Sequence, residues 1–154
     1  MLYRIKARGI IIKDNKLLCV VHKHDNLKIK NGNYHWSLPG GTLENGESII
    51  SCLKREMFEE TGVIPKVTRL LFVHQFVANS KEYLEFFFGI SNSDDYLNVD
   101  LTKTSHGLQE IEEIAFIDPA KNKILPKFLS EIQIDKIDLN NTPVQFFSYL
   151  TENQ

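Results

Sequence analysis

Residues 38–62, LPGGTLENGESIISCLKREMFEETG, constrain this chain more than any other stretch. From residue 48 to residue 61 the apolar positions recur at helical spacing, with Ile50, Leu53 and Met57 three and four apart. Gly62 follows where a left-handed C-terminal glycine belongs. The last turns of this helix carry Glu56, Glu59 and Glu60. Residues three and four apart share a helix face, so the three carboxylates project together beside the stripe of Leu53 and Met57. They repel one another, and the helix dipole adds partial negative charge at the same end. Arg55 offsets one charge, not three. A bound divalent cation removes the conflict. Hard oxygen ligands, with no soft sulfur or paired histidine competing, suit Mg²⁺, with Mn²⁺ as a substitute. A solvated acidic face is the plainer alternative. Against it, the acidic end is the electrostatically wrong one, and a Pro-Gly-Gly turn precedes it that would bring backbone close to a ligand. Mg²⁺ keeps several waters and bridges to substrate phosphates, so the cluster points to metal-assisted phosphate chemistry.

The rest of the chain narrows the setting. Its 154 residues suit one core, and a net charge of −2 gives no global footprint for nucleic acid or an anionic membrane. Long nucleic acid is therefore not expected as a partner. Cys19 and Cys52 are too few for a disulfide scaffold and lack metal-site spacing, so they read as small core hydrophobes. The opening MLYRIKARGIII has charges threaded through it and does not read as a secretory signal. Apolar runs such as LEFFFGI fall far short of the ~20 residues that span a bilayer. A cytoplasmic, reduced protein without membrane partners is expected.

Strands are expected at 3–13 and 17–22, joined by a turn at 14–16, then a polar loop at 23–35 and a short strand in WSLPGG. Further strands are expected at 66–77, 82–90 and 111–117, with a loop at 92–107 that has room for an edge strand at 96–101. Pro119 opens a helical stretch that Pro126 interrupts before it runs to Ile132, and residues 142–150 read as a C-terminal helix with Pro143 in its first turn. No repeat or long linker interrupts the chain, so 1–154 reads as a single mixed α/β domain with a C-terminal helical segment from about 119 onward.

At this point a resemblance becomes legible. Gly41, Glu47 and REMFEETGV (residues 55–63) fit the Nudix box, Gly-x5-Glu-x7-Arg-Glu-U-x-Glu-Glu-x-Gly-U, where U is bulky and aliphatic. All nine defined positions match: Gly41, Glu47, Arg55, Glu56, Met57, Glu59, Glu60, Gly62 and Val63. With average residue frequencies, one such match in this chain has a chance on the order of 10⁻⁷. ARGIIIKDNKLLCVVHKH, YHWSLPGG and QEIEEIAFIDPAK are also similar to segments of such domains. The resemblance implies an α/β (α+β) fold, an α/β/α sandwich with a mixed sheet and the box loop and helix. It further implies hydrolysis of a nucleoside diphosphate linked to another group, with a divalent metal.

Carried over by position, Glu56, Glu59, Glu60 and the carbonyl of Gly40 resemble the family's metal ligands. Arg55 and Glu47 resemble the pair that orients them. Glu59 resembles the base that takes the attacking water's proton, with Glu110, Glu112 and Glu113 as alternatives from outside the box. Arg8 sits on the first strand where several relatives place a basic residue facing phosphate, or else is an outward-facing strand charge; Gly41 and Trp36 are further candidate substrate contacts. His22, Lys23, His24 and Lys28 would add positive charge over the diphosphate, or else be ordinary exposed charges. Trp36 and Phe76 offer aromatic faces to a base, although core packing is the favoured reading for Trp36. The partner expected is a small nucleotide, ADP-ribose-like or a normal or oxidised nucleoside triphosphate, and family members are often homodimers. A different reading is a catalytically silent nucleotide-binding sensor, but such modules commonly lose box carboxylates and this chain keeps them. Isomerase chemistry on an isoprenoid diphosphate would need a suitably placed cysteine, which neither Cys19 nor Cys52 offers.

Overall fold

Ile10 and Ile11 are consecutive in sequence and both fully buried. Successive side chains of one strand point to opposite faces, so the chain must serve two apolar clusters here. It does so by changing sheets. The computed structural model describes residues 3–23 and 35–149, and in it the expected first strand divides into β1 (Tyr3–Ile10) and β2 (Ile12–Lys13). A two-residue turn at Asp14 and Asn15, with φ of 50° and 58°, leads to β3 (Lys16–His22). β4 (Gly40–Thr42) then pairs antiparallel with β1, and α1 (Ile49–Thr61) follows. Next comes a hairpin of β5 (Val67–Ala78) and β6 (Lys81–Ile90), turning at Asn79 and Ser80. A single helical turn, α2 (Gly107–Glu110), leads into β7 (Ile111–Ile117), and β8 (Gln145–Tyr149) comes last.

These strands build a mixed five-stranded sheet in the order β4-β1-β6-β5-β8 and a three-stranded sheet β2-β3-β7. α1 covers one face of the larger sheet: Cys52, Leu53 and Met57 meet Ala7, Phe88 and Ile90, with Ile11 and Leu18 completing the cluster. Ser48 caps the start of α1 by accepting from the Ser51 amide at 3.1 Å. Gly62, at φ 77°, closes its end by returning an N–H to the Phe58 carbonyl at 2.8 Å. The opposite face holds Phe72 and Phe87 against Phe128 and Leu129 of the 3-10 turn Lys127–Ser130. Phe147 of β8 stacks on Phe128 with centroids 4.2 Å apart. Burial pushes the thiols of Cys19 and Cys52 up to about 12, as their core placement implies. Among the described residues no helix is long and apolar enough to cross a membrane.

Three expectations about local structure are corrected. The helix expected at 142–150 is the strand β8, parallel to β5 with Phe147 opposite His74; Leu150 lies outside the described residues. Its pattern alternates, with Phe146 outward and Phe147 on the core, and a long-range pairing outweighs the helix signal of Pro143. The helical stretch expected from 119 is reduced to 3-10 turns at Lys127–Ser130 and Ile134–Lys136. No edge strand forms at 96–101: Tyr96 ends the 3-10 turn Ser93–Tyr96 and Leu101 begins the 3-10 turn Leu101–Lys103, where the Asp100 carboxylate captures the Thr102 amide at 3.0 Å.

If β8 packs by alternation, Phe147→Ala should lower unfolding free energy by about 2–3 kcal/mol, because it empties an aromatic site on the core. Phe146→Ala, at a side chain 59% exposed, should stay within about 0.5 kcal/mol in the same urea titration. Equal effects of the two would contradict the strand.

Candidate functional site

The Pro-Gly-Gly turn and the acidic helix end meet at the edge of the larger sheet. Gly40 stands opposite Arg8 and Gly41 opposite Ala7 in the β1–β4 register. Gly40 has φ +135°, and a Cβ there would lie 2.0 Å from the Ala7 carbonyl oxygen, so only glycine fits. In that conformation its N–H donates to Glu60 Oε2 at 3.2 Å. The other Glu60 oxygen faces His22 Nε2 at 3.2 Å, while His22 Nδ1 lies 3.3 Å from Ser37 Oγ. Glu60 is only 1% exposed, and a carboxylate this deep must be held by such partners. Glu56 lies directly against Gly41, where a Cβ would come within 2.2 Å of its Cδ.

The third carboxylate of the group comes from outside the helix. The Glu59 carbonyl, one of those left open at a helix C-terminus, accepts the His106 amide at 3.0 Å. Gly107 then donates to Thr104 Oγ1 at 2.8 Å, and the Glu110 carbonyl accepts the Lys23 amide at 2.9 Å. The Lys23 ammonium donates to the Leu108 carbonyl. Fastened at both ends, α2 brings Glu110 to the cluster: one oxygen each of Glu56, Glu60 and Glu110 lie within 4.8 Å of one another. These are hard, anionic donors beside a backbone turn, which is the donor set a small divalent cation takes. The residues present therefore fit such an ion.

Arg55 organises the rim. Its Nε and Nη2 grip Glu47 at 2.8 and 3.1 Å, Nη1 reaches Glu56 at 2.9 Å and Glu59 at 3.3 Å, and Nη2 donates to the Thr42 carbonyl at 3.2 Å. The Arg55 hydrogen bond holds the Glu47 carboxyl below the usual range, and the same contact raises the guanidinium further. Glu56 goes the other way: burial pushes its carboxyl up, and the charges of Glu60 and Glu59 add to that against the opposing pull of Arg55. Glu59 sits at the mouth with its side chain 26% exposed, and His106 Nδ1 stands 3.8 Å from its Oε2.

The other sequence candidates are placed as follows. Arg8 is 11% exposed and is occupied by protein groups, Glu85 Oε2 at 3.0 Å and the carbonyls of Leu38 and Gly40 at 3.2 and 3.4 Å. Trp36 is half-buried against the core cluster and bridges Ile124 through its backbone. Glu112 and Glu113 are exposed on β7, while Glu110 alone of the three joins the carboxylate group. His24 and Lys28 lie outside the described residues. Phe76 stacks on Tyr83 at 4.7 Å, and Lys6 lies over the Tyr83 ring at 5.8 Å, forming a shelf of aromatic and cationic groups along β5, β6 and β1. The buried pair His74 and Glu85 went unnoticed in the sequence. Both are polar residues inside strands that read as apolar, and that is the only signal they offer.

A family model described as NUDIX domain matches residues 3–134. The chain is 47% identical over 70 residues to an ADP-ribose pyrophosphatase of Methanocaldococcus jannaschii, a match covering 46% of this chain and 38% of that protein. It is 34% identical over 77 residues to phosphatase NudJ of Escherichia coli K12, covering 47% of this chain and 50% of that one. The matches thus span half or less of these relatives' length. In fold it is similar to a MutT protein of Methanosarcina mazei Go1, with a TM-score of 0.63 and 19% identity over 87% of this chain and 91% of that one.

The raised Glu56 carboxyl has a measurable consequence in metal-free protein. A group whose value rises on folding favours the folded state most below the ordinary glutamate range, and that benefit is lost as pH rises through the raised value. Glu56→Gln should therefore flatten the fall in stability across that window, read as the difference between the two proteins' unfolding free energies against pH. A difference that does not change with pH would contradict the burial argument.

Proposed function

The chain belongs to the Nudix family, and on that premise we propose that it hydrolyses a pyrophosphate bond in a nucleoside diphosphate linked to another group. The observation that carries this reading is the convergence of Glu56, Glu60 and Glu110 beside Gly40 and Gly41. We assign those three carboxylates, together with the Gly40 carbonyl, to holding a divalent cation, Mg²⁺ by the hardness of the donors. When bound, such an ion supplies positive charge that neutralises pyrophosphate oxygens and orients the leaving phosphate.

The remaining work falls to side chains. Water attacks phosphorus in line, the bond from phosphorus to the bridging oxygen breaks, and the leaving phosphate carries that electron pair away. Glu59, at the mouth and outside the group of three, accepts the proton of the attacking water. Arg55 holds Glu59 and Glu56 in place and is itself braced by Glu47. Among substrates we favour ADP-ribose-like compounds over nucleoside triphosphates, a reading supported by the 47% identity over 70 residues to an ADP-ribose pyrophosphatase.

A panel of ADP-ribose, related nucleoside diphosphate sugars and nucleoside triphosphates tests this, with Mg²⁺ present or chelated and monophosphate, phosphate and pyrophosphate release as readouts. Turnover should require the cation and favour ADP-ribose, and Glu59→Gln should lower kcat by about 10²-fold or more. Undiminished activity in Glu59→Gln would move the base to Glu110, Glu112 or Glu113. Tight binding of one member without turnover would favour a silent sensor.

A further inference from the structure

Glu85 is a carboxylate buried in the middle of a sheet, 5% exposed, and the proposed chemistry does not use it. Both of its oxygens are engaged. Oε2 accepts from Arg8 Nε at 3.0 Å, and Oε1 faces His74 Nδ1 at 3.2 Å. Burial would raise this carboxyl, but the His74 hydrogen bond and the Arg8 charge outweigh it and hold Glu85 down at about 2. His74 is in turn wedged among rings, stacked on Phe76 at 4.6 Å and edge-on to Phe128 at 5.3 Å. The group is therefore rigid as well as charged.

What the group holds is the backbone of the turn at the acidic cluster. Arg8 Nη1 lies 3.2 Å from the Leu38 carbonyl and 3.4 Å from the Gly40 carbonyl, and Arg8 stands opposite Gly40 in the register. The Gly40 amide leaves the same peptide segment in the other direction, to Glu60 Oε2 at 3.2 Å. A continuous series of contacts thus runs from His74 through Glu85 and Arg8 to the turn and on to Glu60. We propose that Arg8, anchored by Glu85 and His74, is a positioning residue that holds the Leu38 and Gly40 carbonyls so that the Gly40 amide on the other side stays aimed at Glu60 of the carboxylate cluster.

Two physical arguments support this assignment over a plain ion pair. Replacing a buried ion pair with apolar residues is often neutral or stabilising, so stability alone is a weak reason to bury one here. Gly40 also sits at φ +135°, which glycine reaches as readily as many other conformations, so its own backbone does not fix the turn and Arg8 supplies part of that constraint from across the strand pair. The guanidinium fork is essential, because Nε serves Glu85 while Nη1 serves two carbonyls; a lysine ammonium has the charge but not the fork. The functional meaning of this positioning rests on the cluster being a cation site.

The test uses the full chain carrying Arg8→Lys, Glu85→Gln or His74→Asn, with the outermost link, His74→Asn, serving if the inner variants do not fold. Three readouts are taken: hydrogen exchange of the Gly40 amide in metal-free protein, Mn²⁺ affinity by titration, and KM against kcat for the best nucleotide of the panel. In variants that still unfold cooperatively, Gly40 exchange should quicken at least about tenfold and the Mn²⁺ Kd should rise about tenfold, as when the outer partners of a metal site are removed. KM should change less than about twofold by the same argument. Unchanged Gly40 exchange in folded variants overturns the proposal. So does a raised KM in Arg8→Lys with exchange and Mn²⁺ affinity intact, which would make Arg8 a substrate contact. If the unaltered protein binds no Mn²⁺, the cation reading fails, and Gly40 exchange still decides whether Arg8 positions the turn.

Discussion

Glu60 is the contact on which the rest of the site depends. Its carboxylate is 1% exposed, and a charge that deep is tolerated only where fixed donors replace water. One oxygen takes the Gly40 amide of β4 and the other faces His22 at the end of β3, so a single side chain of α1 joins three elements. The helix cannot slide or rotate by one residue without breaking both contacts. That fixes where Glu56 and Glu59 point. It also explains why Gly40 adopts a backbone conformation that other residues avoid: the amide must turn inward, and the Ala7 carbonyl leaves no room for a Cβ.

Around that fixed point the charges are arranged in two tiers. Arg55 binds the outer carboxylates, Glu47 bidentately and Glu59 through Nη1, and the same Nη1 reaches inward to Glu56. The inner set of Glu56, Glu60 and Glu110 gathers three acidic groups within 4.8 Å, and burial together with the neighbouring charges pushes the Glu56 carboxyl up against carrying its charge there. The open carbonyls at the end of α1 add partial negative charge here and also capture the His106 amide, which leads the chain into α2 and delivers Glu110. The helix end that is unfavourable for carboxylates is thus also the anchor for one more of them.

Much of this was legible in the sequence, for a specific reason. Helix periodicity, the Ser48 cap and Gly62 are local signals, and α1 depends on them directly. The box carboxylates sit at helical spacings, so their common face followed from geometry alone. The hairpin of β5 and β6 was similarly visible, because its turn and its apolar runs are adjacent in sequence. Residues 142–150 failed as a helix because β8 depends on β5, some seventy positions earlier, and a segment read alone does not reveal that partner. Trp36 reads in the sequence as core packing or a stacking face for a base, and Arg8 as a strand charge or a phosphate contact, because a segment alone does not show its partner. In the fold one meets the core and the other Glu85, contacts made across strands.

The sequence by itself therefore determined the box helix, its acidic face, its closing glycine and the membership that those positions announce. These are properties of spacing within a few turns. Only the tertiary structure decided that Glu110 completes the carboxylate group and Glu59 stands at its mouth. It alone decided that Arg8 is spent on Glu85 and a backbone turn. The physical reason is that such choices are made by contacts across sheets and loops, where burial makes each charge find a partner far away in the chain.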